Sequence, residues 1–575
     1  MKNIGKQYQI NTFFKQKMSN FRGNRWITLV IVSLGFFMIL IDTTVVNVAI
    51  PTLIKELHTS LSEIEWIITG YALSFAALLI TFGRLGDVYG RKQLFIIGLV
   101  VFVVSSYFSG EAPNASILII ARLFQGVGGA MISPASLSIL ASSFTGKERA
   151  IAFGIWGAIA GVAVAIGPVL GGLLTTYESW RWIFRINIPI GILTLFASLY
   201  FISESTGRLK QNLDISGMIT STLGFFFLIF ALIEGQTYGW IHPSGSSFSL
   251  AGMTWSNTSI SIIPVTIALS VIFLTAFIVI QILKTKRNLS PAIDMNFFVH
   301  RTFKYGLIAI GVIALGEFSS LFTVPIFLQS IKGFTPIQSG LAVLPLAIAT
   351  FIAAPLSAQL VNKIGTKWVI TTGICTEFLG IFLLSRLDVN TAYPSLVLPF
   401  ILLGVGIGLA ISQNTQVILS EIDPAKTGSA SGILNTIRQV GSALGIAIIG
   451  AVLSTQLSGN ISTQINSVKG IPQNAKTNII TSVNAEGLSE SSTSPSLPEA
   501  SPPLAIQHNP IAVKAFYAAE TSLMAKIKLA IDTALASAIA SSIRVGSIFV
   551  LVGALLSLLI PNIKGKRSET PVVSD

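Results

Sequence analysis

Residues 83–92 read Gly83-Arg84-Leu85-Gly86-Asp87-Val88-Tyr89-Gly90-Arg91-Lys92, a charged, glycine-bracketed stretch between two long apolar runs. Its carboxylate and its cations cannot enter hydrocarbon, whereas each flanking run, of about twenty residues, is long enough to cross a bilayer. The stretch is therefore expected to be a tight loop on one membrane face, with Gly83 and Gly90 permitting the reversal. Asp87 is suited to accept hydrogen bonds from a helix amino terminus or an arginine, which would make the loop a latch. Arg84, Arg91 and Lys92 equally serve to hold it on the cytoplasmic side.

The rest of the chain agrees with a membrane reading. Of 575 residues, 52% are hydrophobic and 11% charged, and the mean hydropathy is +0.75, whereas about a quarter of a soluble domain is charged. The net charge of +13 does not indicate nucleic acid, because the cations lie between apolar runs and form no stripe. Cys375 stands alone, so neither a disulfide nor a cysteine-based metal site is available. There is no Gly-x-x-x-x-Gly-Lys-Ser/Thr phosphate loop and no His-Glu-x-x-His pair, which argues against an ATPase, a metalloenzyme or any other enzyme. No metal or cofactor is expected.

Apolar runs predict fourteen transmembrane helices in an all-α polytopic protein. A polar, basic tail (1–25) precedes six spans within 26–203. Two further spans lie within 204–301, and six more within 302–561, followed by a tail at 562–575. Lys and Arg concentrate in the amino-terminal tail, in alternate loops and in the carboxy-terminal tail, placing both ends in the cytoplasm. Arg181 and Arg185, at an outer helix start, are exceptions. The long outer loop 456–542 has a centre near 484–510 rich in Ser, Pro, Asn and Glu, expected to be disordered. Residues 511–542 return to helical spacing, as a surface helix or as the approach to the last span; a tolerated insertion is the plain alternative.

Residues 400–413 (FILLGVGIGLAISQ) echo 123–134 (LFQGVGGAMISP) in glycine spacing, as expected for two related halves. Charges inside spans cost about 2.5–3.5 kcal/mol each and are functional candidates by default. Asp42 in the first span, Arg122 in the fourth and Glu317 in the ninth are candidates for proton coupling. For Asp42 the competing reading is a carboxylate permanently satisfied by hydroxyls such as Thr43; for Arg122 and Glu317 it is a purely structural role. Asn47, Gln125, Glu377 and Arg438 are candidates to line a substrate cavity. In the fifth span Gly154, Gly157, Gly161, Gly167, Pro168, Gly171 and Gly172 leave a helix able to bend and to pack closely.

Gly83, Leu85, Asp87, Gly90, Arg91 and Lys92 resemble the signature between the second and third spans of the major facilitator superfamily. Arg122-Leu123-Phe124-Gln125-Gly126-Val127-Gly128-Gly129 resembles the family motif whose arginine is implicated in proton transfer. Gly167-Pro168-x-x-Gly171-Gly172 resembles its antiporter motif, with Ala163 replacing one usual glycine. Arg438-Gln439-Val440-Gly441-Ser442-Ala443-Leu444-Gly445 and residues 325–345 resemble signatures of the fourteen-span drug:proton antiporters of the EmrB/QacA type. The resemblance covers roughly 26–455 and the last span. It implies two six-helix bundles with two inserted central helices in the inner or plasma membrane. Amphipathic compounds would be exported against protons by alternating access, driven by the proton motive force. It also allows for a periplasmic adaptor protein, which the outer loop would dock or obstruct. Exporters of lipid or of one metabolite share the fold, and a nutrient symporter is disfavoured by Gly167-Pro168.

Overall fold

The charged stretch at 83–92 is the end of a helix, with a single residue of turn. The protein is described here from a computed structural model covering residues 23–57, 61–204, 212–243, 248–250, 253–255, 259–287, 289–469, 471, 473–486 and 510–562. Helix α1 (Arg25–Val48) is capped by the Asn24 side chain, which accepts from the Trp26 N–H at 2.9 Å, and α2 (Ile50–Leu57) follows. Helix α3 (Leu61–Tyr89) carries the stretch to Tyr89; Gly90 alone, at φ 116°, makes the corner, and α4 (Arg91–Gly110) begins at once. Gly83 is thus helical, and its lack of a side chain serves a different purpose, described below.

Helices α5 (Ala115–Ser143), α6 (Gly146–Tyr177), α7 (Trp182–Arg185) and α8 (Asn187–Phe201) complete the first half. The outer cations Arg181 and Arg185 find their reason here. Arg181 donates to the carbonyls of Gly110 and Ala112, and Arg185 pairs with Glu111 at 2.6 Å, so both neutralise the end of α4. The inserted pair is α9 (Ile215–Tyr238) and α10 (Ile262–Lys286), joined on the outer side by a two-stranded antiparallel hairpin, β1 (Phe248–Leu250) and β2 (Met253–Trp255). Asp214 caps α9 and also receives Lys284, Gln281 and the Ala292 N–H. Burial alone would raise this carboxyl, but those donors hold it below the ordinary carboxylate value.

The second half comprises α11 (Arg301–Ile326), α12 (Pro336–Ala342), α13 (Leu344–Ile364), α14 (Thr366–Leu384), α15 (Pro394–Ile418), α16 (Thr427–Ser467), α17 (Gln473–Glu486) and α18 (Pro510–Ser557). Among the described residues thirteen helices are long and apolar enough to cross a membrane. Helix α6 adds another long apolar stretch, with no charged residue from 151 to 177. Large apolar side chains such as Phe124, Leu193, Phe196 and Ile272 lie more than half exposed on the outside, as a lipid-facing surface requires.

The segment expected as a loop from 456 to 542 is largely helical where it is described. Helix α16 continues to Ser467, and 510–542 are continuous with the last span. Leu457, Ile461, Ile465, Ile479, Ile527, Ile531 and Leu535 form one buried cluster with the bundle. Apolar spacing past the membrane boundary thus builds a folded extension, because these faces cover one another. The centre, 487–509, lies outside the described residues, as do the tails at 1–22 and 563–575.

The two halves differ at their ends. On the inner side one apolar cluster includes Phe144 and Phe153 of the first half with Ile418, Ile433 and Leu434 of the second. The outer cluster around Val45, Leu118, Trp180 and Phe184 belongs to the first half by itself. The conformation is therefore one sealed at the cytoplasmic face.

Candidate functional site

Asp42 lies in the outer half of α1, and four helices converge on it. Arg122 Nη1 of α5 reaches Asp42 Oδ2 at 2.5 Å, and Gln125 Nε2, one turn further on, reaches Oδ1 at 2.7 Å. Asn187 Nδ2, at the start of α8, donates to the same oxygen at 2.9 Å, and Ser106 of α4 accepts from both amides. Arg122 further donates to Gln125 Oε1 and to the Ile67 carbonyl, while the Tyr71 ring lies 4.2 Å beneath its guanidinium. All six side chains are at most 2% exposed. A buried ion pair with this many donors is held in one arrangement, since each lost partner would leave an unmatched charge. The Thr43 hydroxyl donates to the Ile39 carbonyl of its own helix, the carbonyl that also accepts from the Tyr71 hydroxyl.

The second half is built differently. Glu317 of α11 lies 3.9 Å from Arg438 of α16, and its Oε2 accepts no hydrogen bond among the described residues. Glu377 of α14 is fully buried, and neither of its carboxylate oxygens has a hydrogen-bond partner among the described residues. Gly441 and Gly445 of the Arg438 motif face the backbone of Gly311 and Leu315, so any side chain there would push α11 away from α16. That close approach is what brings Arg438 to Glu317.

At the inner face Asp87 accepts from the Gly428 and Ser429 N–H groups, both at 2.7 Å, from the Ser429 hydroxyl at 2.8 Å and from Arg91 at 3.1 Å. Gly428 and Ser429 form the first turn of α16, so the carboxylate sits on that helix's positive end. Arg91 also donates to the Pro424 carbonyl, Arg149 to the Leu419 carbonyl, and Ser138 pairs with Thr427. Gly83 packs against Gly428 and Gly432; a side chain at Gly83 would overlap the Gly428 carbonyl. Lys92 is turned elsewhere, donating to the Leu199 carbonyl at the end of α8.

The family model of the Major Facilitator Superfamily matches residues 32–446. The chain belongs to that superfamily. It is 30% identical to the multidrug resistance protein Stp of Mycobacterium tuberculosis, over 80% of this chain and 81% of that one. It is also 30% identical to the multidrug transporter protein MdtP of Bacillus subtilis, over 94% and 95%. A tetracenomycin C resistance and export protein of Streptomyces glaucescens is 29% identical over 76% and 78%. Among solved structures, the human organic anion transporter MFSD10 (TETRAN) superposes with a TM-score of 0.52 at 13% identity, covering 75% of this chain and 94% of that one; it supports the fold alone. The MdtP match runs through the outer segment that the sequence motifs left out.

Within this superfamily fold, the glycines of α6 act as contact points. Gly154 meets Ala354 and Pro355 of α13, Gly172 meets Ile337 of α12, and Gly167 meets Thr44 of α1. Gly171 is buried, and α6 runs unbroken through Pro168, whose side chain lies outside the described residues. The glycines let α6 pack along the other half. Asn47 lies in the last turn of α1, and its side chain is likewise outside the described residues. Gln125 belongs to the Asp42 network, not to an open cavity lining. Asn187, Ser106 and Tyr71 are the residues that sequence reasoning missed. Single polar side chains within apolar runs look unremarkable until the helices that carry them are brought together.

Proposed function

We propose that the protein exports amphipathic small molecules across the plasma membrane in exchange for protons, by alternating access. The driving force is the proton motive force, with no resident cofactor. The observation that carries this reading is a carboxylate–arginine pair within the spans of each half, above an inner seal made of hydrogen bonds that can be released. The bacterial relatives, named for multidrug resistance, multidrug transport and antibiotic export, supply the cargo class. Asp42 with Arg122, and Glu317 with Arg438, are the groups assigned to proton coupling. When the latch at Asp87 opens, the positive end of α16 loses its counter-charge and the inner face admits substrate. An adaptor protein on the outer side would first meet the extended ends of α16 and α18.

The test is purified protein in liposomes carrying an internal pH-sensitive dye, with an imposed proton gradient and ethidium as substrate. Substrate-dependent proton movement is expected in wild type and is expected to be lost in Asp42→Asn or Glu317→Gln. Folded protein that moves no protons with any lipophilic cation would overturn the antiport reading and favour a lipid or a single metabolite as cargo.

A further inference from the structure

Ser412-Gln413 closes the echoed glycine motif of α15, and the reading above has no use for it. Gln413 lies in the last two turns of that helix, and with Ser412 and with Ser357 of α13 it forms a polar set at most 1% exposed. Gln413 Nε2 donates to the Ser357 hydroxyl at 2.7 Å, and the Ser357 and Ser412 hydroxyls lie 3.3 Å apart. Ser357 donates to the Ala354 carbonyl at 2.5 Å, and Ser412 to the Gly408 carbonyl at 3.0 Å. Both hydroxyl protons are thereby taken up by backbone, so Ser357 accepts from Gln413 and the amide is fixed with its NH2 on the serine. Gln413 Oε1 accepts no hydrogen bond among the described residues.

The cover over this set belongs to the other half. Gly154 and Gly157 of α6, about one turn apart, lie against it. A Cβ on Gly154 would come within 2.7 Å of the Ala354 carbonyl oxygen, and one on Gly157 within 3.3 Å of Ser412 Cβ. Behind this glycine face the sealed conformation buries an amide oxygen that has no donor, which is costly unless a donor is supplied. Opening the inner face carries α6 away with the first half, and the polar set is then reached from the Ser412 side.

We propose that Gln413 is a cargo-recognition residue of the cytoplasm-open state, its Oε1 taking an N–H or O–H group of an amphipathic compound, with Ser357 holding the amide in position. This rests on the export reading and narrows its cargo to compounds that carry such a donor. The small-residue face of α6 is the lid that closes over the site once cargo has left it.

The measurement is equilibrium binding to the full-length protein in liposomes, with two lipophilic cations as probes. Ethidium carries aromatic amine N–H groups; tetraphenylphosphonium carries no N–H or O–H. Gln413→Leu is expected to weaken ethidium by about tenfold, the loss of one buried hydrogen bond, and to leave tetraphenylphosphonium unchanged. Ser357→Ala should weaken ethidium by less and in the same selective way. Equal weakening of both probes, weakening of neither, or a wild type that binds neither would overturn the assignment. Should Gln413→Leu fail to fold, as judged by gel filtration, Gln413→Met and Ser357→Ala decide the matter on the same criterion. The lid is tested with Ser412→Cys in a Cys375→Ser chain. A membrane-impermeant maleimide applied from the cytoplasmic side should react faster when Gly83→Leu is added to hold the inner face open, and more slowly again with ethidium present; a rate that neither change moves would overturn the uncovering. Selective, Gln413-dependent binding of ethidium without any transport of it in the liposome assay would support the site while refuting export.

Discussion

Asp42 and Glu317 occupy nearly the same depth of the first helix in their respective halves, and their surroundings are opposite. Asp42 receives a guanidinium and two amides, and all its partners lie within its own half. Glu317 receives one guanidinium at the edge of ion-pair distance, from a helix that also forms the inner seal. The echoed glycine motif locates the difference. Arg122 stands four residues before Gly126, and Phe400 stands four residues before Gly404, so the second half has no cation at the position matching Arg122. It carries Glu377 in addition. One half therefore holds its charge rigidly, while the other leaves its charge open to exchange.

The sharpest way to break this comparison is to remove each acid and measure stability. Asp42→Ala strands a buried guanidinium and should destabilise the protein by about 3–5 kcal/mol, read from its melting temperature in detergent. Glu317→Ala should cost at most about 1 kcal/mol, because its pair is long and without a hydrogen bond. Equal losses would erase the distinction. Adding Arg122→Leu to Asp42→Ala should recover part of the loss, since the stranded charge goes with it.

The seal offers a second test, of smaller expected effect. Gly83→Leu should hold α3 away from α16 and keep the inner face open, seen as a longer distance between spin labels on the inner ends of the two helices. An unchanged distance would mean that Gly83 does not set the approach. Ser429→Ala removes one of four donors to Asp87 and should weaken the closed state by about 1 kcal/mol, roughly a fivefold shift in the same distance distribution. The shift should be absent in an Asp87→Asn background if both act through one carboxylate.

Smallest of all is the effect at Asp214. Its carboxyl is held below the ordinary value, so the stability it contributes is present above the unfolded carboxylate value, about 3.9. That contribution fades as pH falls through the lower folded value. Wild type and Asp214→Asn should therefore differ in melting temperature at neutral pH and converge only in strong acid. Convergence already at pH 6 would show that the Lys284 and Gln281 contacts do not bias its ionisation.

Much of this architecture is legible in the chain. Apolar run length, alternating cation-rich loops and the Gly83–Lys92 stretch lead to the bundle and its orientation, because hydrocarbon allows few solutions. Asp87 on a helix amino terminus also follows from its charge. What is not legible depends on which faces meet. Gly83 looks like a turn residue, yet it is a close-packing residue against Gly428, a position 345 places away. Asn187 and Ser106 become part of the Asp42 network only when α4 and α8 are set side by side. The spacing within 511–542 announces a helix but not its continuity with the last span. A helix leaving the bilayer has the same local pattern as one lying on it.

The unbroken course of α16 has a mechanical consequence. Its 41 residues run from the turn that grips Asp87, past Arg438, to Ser467 beyond the outer membrane face, a rod of roughly 60 Å. Tilting such a rod by about 10° about its inner end carries the far end through roughly 10 Å. The protein therefore has a built-in pointer: a probe fixed near Ser467, in the external medium, reads the state of a latch on the opposite side of the membrane.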